Sequence, residues 1–203
     1  MLKRIPIVPT LLVLLAVGVM VRLGFWQLDR LHQKEALLAR YSVAAQDTAV
    51  LSSDDPHPWF RNADDYFYRR AEFSCRSVVG WEAVAGKNAR GETGYVHIAH
   101  CTAKNIFALD NASDRLGDIV LGWSNRPENP IWTGGSVIGI VAHGGKLGFR
   151  LVADSPQAGL EVSARPDPKD LPNNHLSYAV QWFLFALTAL AIYALALRKR
   201  LQE

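Results

Sequence analysis

Two apolar runs, one at each end of the chain, constrain the fold more than any other feature. Ile5 to Val21 is an apolar run with Thr10 as its one polar residue. At 1.5 Å per residue its roughly 17 residues reach the lower limit for crossing a bilayer. Arg22 interrupts the run and "LGFW" (Leu23 to Trp26) extends it. A long basic side chain can snorkel to the headgroups, and tryptophan favours the interface. Pro6 and Pro9 fall in the first turns, where a helix tolerates proline best. The second run, from about Leu176 to Leu197, is roughly 22 residues or about 33 Å of helix. A cleaved signal peptide is the competing reading of the first run, because Lys3-Arg4 resembles an n-region and Ala16-Val17-Gly18 a small-residue cleavage site. The continuation to Trp26 favours a retained span.

Flanking charges set an orientation. Lys3 and Arg4 precede the first span, and Arg198, Lys199 and Arg200 follow the second. The positive-inside rule puts both termini in the cytoplasm and the middle on the far side, the periplasm if the membrane is a bacterial inner membrane. The expected class is an α+β membrane protein, with two transmembrane helices flanking an antiparallel β-rich extracytoplasmic domain. Its expected parts are a span over 5–27, a periplasmic domain with an N-terminal helix over 28–172, a second span over 173–197 and a cytoplasmic tail over 198–203.

Within the middle, "QLDRLHQKEALLARYSVAAQ" lacks Gly and Pro and reads as a helical continuation of the first span; "SSDDPHPW" ends it. From Tyr66 onward the signals are strands separated by turns. The candidates are "YFYRRAEFSCRSV", "WEAVAG", "GYVHIAHCTA", "IFALDN", "DIVLGWSN", "SVIGIVAHG", "FRLVADS" and "GLEVSARP". Closely spaced strands without intervening helices predict an antiparallel sheet, sandwich or small barrel.

Chemistry is sparse in this domain. Cys75 and Cys101 are the only cysteines. In an oxidising compartment they can pair, and two buried thiols is the alternative. A metal site using His97 and His100 is disfavoured, because on an extended strand these two point to opposite faces. There is no nucleophile elbow and no zincin motif. No Cys-x-x-Cys-His attaches a haem covalently. "GGKLGF" lacks the spacing of a phosphate loop and reads as a hairpin turn. No catalytic residue is identified, and the expectation is a protein that is not an enzyme. A net charge of +3 without a basic, aromatic-rich stripe excludes nucleic acid as the natural partner.

The outer ends of the two spans are a different matter. One carries "GFWQLDRLHQK" and the other "PNNHLSYAVQW". His175, Tyr178 and Trp182 lie at i, i+3 and i+7 on one helix face. Trp26, Arg30 and Lys34 are spaced by four and share a face, with Gln27 at its border. Asn173 or Asn174 can cap the second helix. An interfacial belt of aromatics accounts for this pattern. So does a haem site, with His175 as the iron ligand and Arg30 or Arg22 near the propionates.

"LGFWQLDRLHQKEALL" and "PNNHLSYAVQWFLFA" resemble the Surfeit locus protein 1 family, membrane proteins that assist assembly of haem-copper cytochrome c oxidase. "YRRAEFS" and "GETGYVHIA" resemble family strands. "VLGWSNRPENP" is similar to the family's Arg-Gly-Trp segment, with Leu121 where an arginine is usual. The resemblance implies two spans around an extracytoplasmic domain, in the bacterial inner membrane. It implies transient binding of haem a for insertion into oxidase subunit I, with haem a synthase a candidate partner alongside the lipid bilayer. The family's haem-binding histidine corresponds to His175, and its Trp-Gln-x-x-Arg signature to Trp26, Gln27 and Arg30. Tyr178 and Trp182 complete the expected cofactor-binding set. The alternative role is a cofactor-free scaffold that stabilises subunit I.

Overall fold

The computed structural model describes residues 6–51, 65–103, 115–146 and 148–202. It contains two long helices, α1 (Ile7–Ala44) and α2 (His175–Gln202). Six strands lie between them: β1 (Val50–Leu51), β2 (Arg70–Lys87), β3 (Thr93–Ala103), β4 (Arg115–Ser124), β5 (Gly135–His143) and β6 (Phe149–Ala153). The chain divides into two compact units, residues 1–38 with 171–203, and residues 39–170.

The first unit is a pair of antiparallel helices. Thr10 hydrogen-bonds Tyr193, Phe25 meets Phe183 edge-on at 5.4 Å, and Gln27 meets His175. Both helices are long and apolar enough to cross a membrane. Only 6% of the most apolar window of each is buried inside the protein, so neither is the core helix of a globular domain. Their shielded positions follow a period near 3.5: Thr10, Val13, Val17, Met20, Gly24 and Gln27 on α1, and His175, Ala179, Trp182, Ala186, Ala189 and Tyr193 on α2. That period keeps one seam facing a partner helix. Small residues bring the backbones together, since lipid supplies no hydrophobic force between helices. Ala179 and Ala186 are buried, and a Cβ on Gly24 would lie 2.6 Å from the Phe183 ring.

The second unit is a small barrel. β2 is long enough to serve two neighbours. Its first six residues pair with β5 (Arg70↔Ile140 to Cys75↔Gly135), and the remainder pairs with β3 (Cys75↔Ala103 to Lys87↔Thr93). Register shifts at Cys75/Ser77 and Val78/Gly80 mark where it bends. β3 pairs with β4, β4 with β6, and β6 with β5, which returns to β2. This cyclic order closes five strands on themselves in the manner of a small Greek-key barrel. Most pairings are antiparallel, as the sequence predicts. The exceptions are β4 with β6 and the short β1 beside β2, both parallel.

The barrel interior is apolar. Ile98, Val120, Ala142 and Val152 form a buried cluster against Val84 and Val96. Ile119, Leu121, Val137 and Val141 are buried beside them. Leu121 is wholly inaccessible, which suits the leucine found there. Cys75 and Cys101 form a disulfide between the neighbouring strands β2 and β3, with Cα atoms 5.3 Å apart, so the thiol alternative does not hold.

Three strand predictions differ from the structure. "YFYRRAEFSCRSV" and "WEAVAG" are one strand, because a β-bulge bends a ladder without ending it. That strand starts only at Arg70: Tyr66 to Arg69 form a turn, Tyr68 adopts φ 68°, and the Arg69 N–H donates to the Tyr66 carbonyl. "GLEVSARP" makes only isolated bridges, Trp123↔Glu161 to β4 and Asn88↔Ser163 just past β2. It crosses from one neighbour to the other, so no ladder builds along either. "IFALDN" and the "SSDDPHPW" break lie outside the described residues. The glycine-rich segment at Gly144 is the β5–β6 hairpin turn, where the Gly144 N–H donates to the Gly148 carbonyl.

Candidate functional site

At one end of the helix pair, α2 begins at His175. The Asn174 carbonyl accepts the Tyr178 N–H at 3.2 Å, which makes Asn174 the residue that opens the helix. Asn173 does not cap through its side chain: its Oδ1 is buried and has no hydrogen-bond partner among the described residues. An orphaned buried acceptor is uncommon and costly, because it has lost water without a replacement.

The His175 ring is half-buried, and its Nδ1 lies 2.9 Å from the Gln27 Oε1 of α1. Its Nε2 makes no hydrogen bond among the described residues. Trp26 and Tyr178 stand half-exposed, at 47% and 50% of their surfaces. The Trp182 ring is more shielded and packs edge-on against Phe185 at 6.2 Å. Arg30 is exposed and donates from Nη1 to the Gln33 Oε1 at 2.8 Å, while Gln33 donates in turn to Asp29. Of the six predicted residues, a direct side-chain bond joins Gln27 and His175. Trp26 and Arg30 are not hydrogen-bonded to α2.

The depth of this end follows from helix geometry. Gln27 lies 17 residues after Thr10, or about 26 Å along α1. The Thr10–Tyr193 and Gln27–His175 contacts therefore bracket most of the roughly 30 Å of a hydrocarbon core. His175 is thus a polar aromatic group at the end of an apolar helix pair.

A family model described as the SURF1 family matches residues 14–187. The chain belongs to the SURF1 family. No curated protein matches it. The SURF1 family is one of cytochrome oxidase assembly factors and not of catalysts. The matched span includes both Gln27 and His175 and the whole barrel.

In this SURF1-family chain two buried histidines of the barrel bond to other barrel residues. His97 engages Ser124 Oγ through Nε2 at 2.8 Å and faces Asn129 Oδ1 at 3.4 Å through Nδ1. His100 is buried, with Nδ1 2.6 Å from Asp118 Oδ1 and Nε2 3.9 Å from Glu82 Oε2. The other Asp118 oxygen accepts the Lys146 N–H of the β5–β6 turn at 2.6 Å. The turn approaches this closely because Gly145 sits at φ 78°; a Cβ there would lie 2.6 Å from Asp118 Oδ2. Among the described residues no cluster of three His, Cys, Asp or Glu side chains is placed to hold a metal.

A cleft of about 420 Å³ opens beside Trp123, lined by Glu92 and Glu161 among others. Arg90 bridges both carboxylates at 2.8 Å. Its hydrogen bond, followed by that of Asn88, holds the Glu92 carboxyl below its ordinary value. Arg90 thus engages both carboxylates and offsets one of their two charges.

Sequence reasoning missed two features of the helix pair. One is the Gly24–Phe183 contact, whose signal was a lone glycine in an apolar helix. The other is the unpaired Asn173 oxygen, for which the sequence carries no signal, because capping is what an Asn at a helix start usually does.

Proposed function

We propose that this protein receives haem a at the outer membrane lip and holds it until cytochrome c oxidase subunit I accepts it. The observation that carries this reading is His175, anchored through Nδ1 with Nε2 unengaged, at the edge of an apolar helix pair. A neutral imidazole nitrogen is a common haem-iron donor, and an imidazole held by its other nitrogen is the usual form of such a ligand. The remaining donor set fits the same cargo. Half-exposed Trp26 and Tyr178, with Trp182, offer apolar surface for the macrocycle. Arg30 keeps guanidinium donors beyond the one given to Gln33 and suits a propionate. The orphaned Asn173 oxygen is a further polar atom awaiting a partner at this end.

In this reading the protein lies in a bacterial inner membrane with both termini cytoplasmic and the barrel in the periplasm. The Lys3-Arg4 and Arg198-Lys199-Arg200 clusters support that orientation. The Cys75–Cys101 disulfide suits an oxidising compartment. No bond in the protein itself is made or broken. Holding and releasing requires only a bound state less stable than haem a in its destination.

The test is an optical and redox spectrum of the detergent-purified full chain, co-expressed with haem a synthesis, beside His175→Ala. The expected result is a haem a Soret and α-band in the wild type that the substitution removes while membrane insertion is unchanged. A colourless wild type, where haem a is demonstrably made, overturns this reading in favour of a cofactor-free scaffold for subunit I.

A further inference from the structure

We infer that Gln27 is a positioning residue: its amide oxygen holds His175 in the Nδ1–H tautomer, which presents Nε2 as the iron-ligating atom. The inference rests on the haem reading of the site and deepens it by naming the ligand atom and what fixes it.

The argument starts from donors and acceptors. A neutral imidazole carries one N–H and one lone pair, and the bond made at one nitrogen decides which is which. The partner of His175 Nδ1 is the Oε1 of Gln27, at 2.9 Å. A carbonyl oxygen only accepts, so the proton sits on Nδ1 and the lone pair on Nε2. Water does not impose that choice, because it donates and accepts equally well. Ring orientation follows from the same bond. His175 is the first residue of α2, so the preceding turn of helix that would restrict its side chain is missing. Gln27 reaches it from the other helix, shielded at the shared seam. The amide therefore fixes both the proton and the plane of the ring. Gln27 spends its oxygen in doing so, which moves it from a contact of the macrocycle to a support of its ligand.

The geometry also explains why glutamine suits this place. A carboxylate would enforce the same tautomer but bring a charge to the edge of the hydrocarbon. A leucine of similar length would leave Nδ1 without a partner. Supporting groups of this kind typically change metal affinity about 10–100-fold when removed.

The experiment uses the full chain in lipid nanodiscs with ¹⁵N-labelled histidine, the His175 signals being assigned by their loss in His175→Ala. In the haem-free protein at a pH where the ring is neutral, Nε2 is expected to show the far-downfield shift of an unprotonated nitrogen. Gln27→Leu should move the ring toward the Nε2–H tautomer, and Gln27→Glu should retain the wild-type one. Titrated with haem a, Gln27→Leu should bind about 10–100-fold more weakly. Gln27→Glu should restore most of the affinity, with a more negative reduction potential. A wild-type ring protonated on Nε2, or a Gln27→Leu variant with unchanged tautomer, overturns the inference whether or not haem binds. A wild type with the expected tautomer that takes up no haem a leaves the tautomer assignment standing and removes the haem reading instead. If Gln27→Leu fails to insert, the Gln27→Glu tautomer and potential still decide the matter.

Discussion

Two histidines of the barrel, His97 and His100, and His175 of the helix pair use the same ring in opposite ways. His97 and His100 are buried, and both ring nitrogens of each lie near a polar partner. His175 is half-buried and commits one nitrogen. The His97 and His100 imidazoles are each a structural strut between β3 and β4, where a buried nitrogen left open would cost stability. At the helix end an open lone pair is tolerated because the His175 ring is only partly shielded, and that open nitrogen is the one the proposed function uses. Under the proposed function, what sets His175 apart is unused bonding capacity at an accessible place.

The largest test of that contrast removes a strut. Asp118→Ala strips the carboxylate from buried His100 and from the Lys146 N–H of the β5–β6 turn. Breaking a buried pair of this kind costs about 3–5 kcal/mol. Urea unfolding of the full chain in detergent, followed by barrel tryptophan fluorescence, should register it, while any haem band of the folded fraction stays unchanged. A loss below about 1 kcal/mol would mean the pair is no strut, and the two kinds of histidine would no longer be distinguishable by energetics.

The next test acts on the other region. Gly24→Leu places side-chain atoms where even a Cβ would lie 2.6 Å from the Phe183 ring. Overpacking of this order costs about 1–3 kcal/mol. The helices should separate near Gln27 and His175, which a pair of spin labels on α1 and α2 would report as a longer distance. Barrel unfolding should not move. An unchanged label distance would show that the helix seam is set by something other than this close approach.

The smallest effect concerns pH. Tyr68 is buried beside Tyr41, Phe67 and His143. Burial first, then Tyr41 and the Asp170 and Asp167 carboxylates, push its phenol above the ordinary value near 10. A raised folded-state value means the fold favours the neutral phenol. That contribution is complete below the unfolded value and is lost as pH rises through the folded one. Barrel stability should therefore fall above about pH 10, by at most about 1.4 kcal/mol per unit from this group. Tyr68→Phe should lessen that fall and leave the neutral range untouched. An identical alkaline limb in the variant would assign the loss to other groups. The helix pair should be indifferent throughout.

Much of this was legible in the residues. Apolar length identified both spans, and the sharp change from apolar run to "PNNH" marked the end at which the site is proposed. Alternation and turn residues located most of the barrel strands. The errors have separate causes. Tyr66 to Arg69 has strand-like composition but turns at Tyr68, whose φ is 68°, whereas the "GLEVSARP" segment is divided between two neighbours and builds a ladder on neither. Likewise, helix spacing placed Trp26, Arg30 and Lys34 on a common face, but did not say which face meets α2.

The sequence by itself determined two membrane-length helices, a β-rich middle, and a histidine at the start of the second helix. These depend on local periodicity, composition and cap chemistry, all encoded within a few turns of chain. Only the tertiary structure decided that five strands close into a barrel, that Cys75 reaches Cys101, and that the Gln27 amide of α1 reaches His175. Each of these joins positions far apart in the chain, up to 148 residues for Gln27 and His175. A helix's own pattern fixes which residues share a face, but its rotation against a partner is settled only when small residues such as Gly24 and Ala179 let the two backbones close.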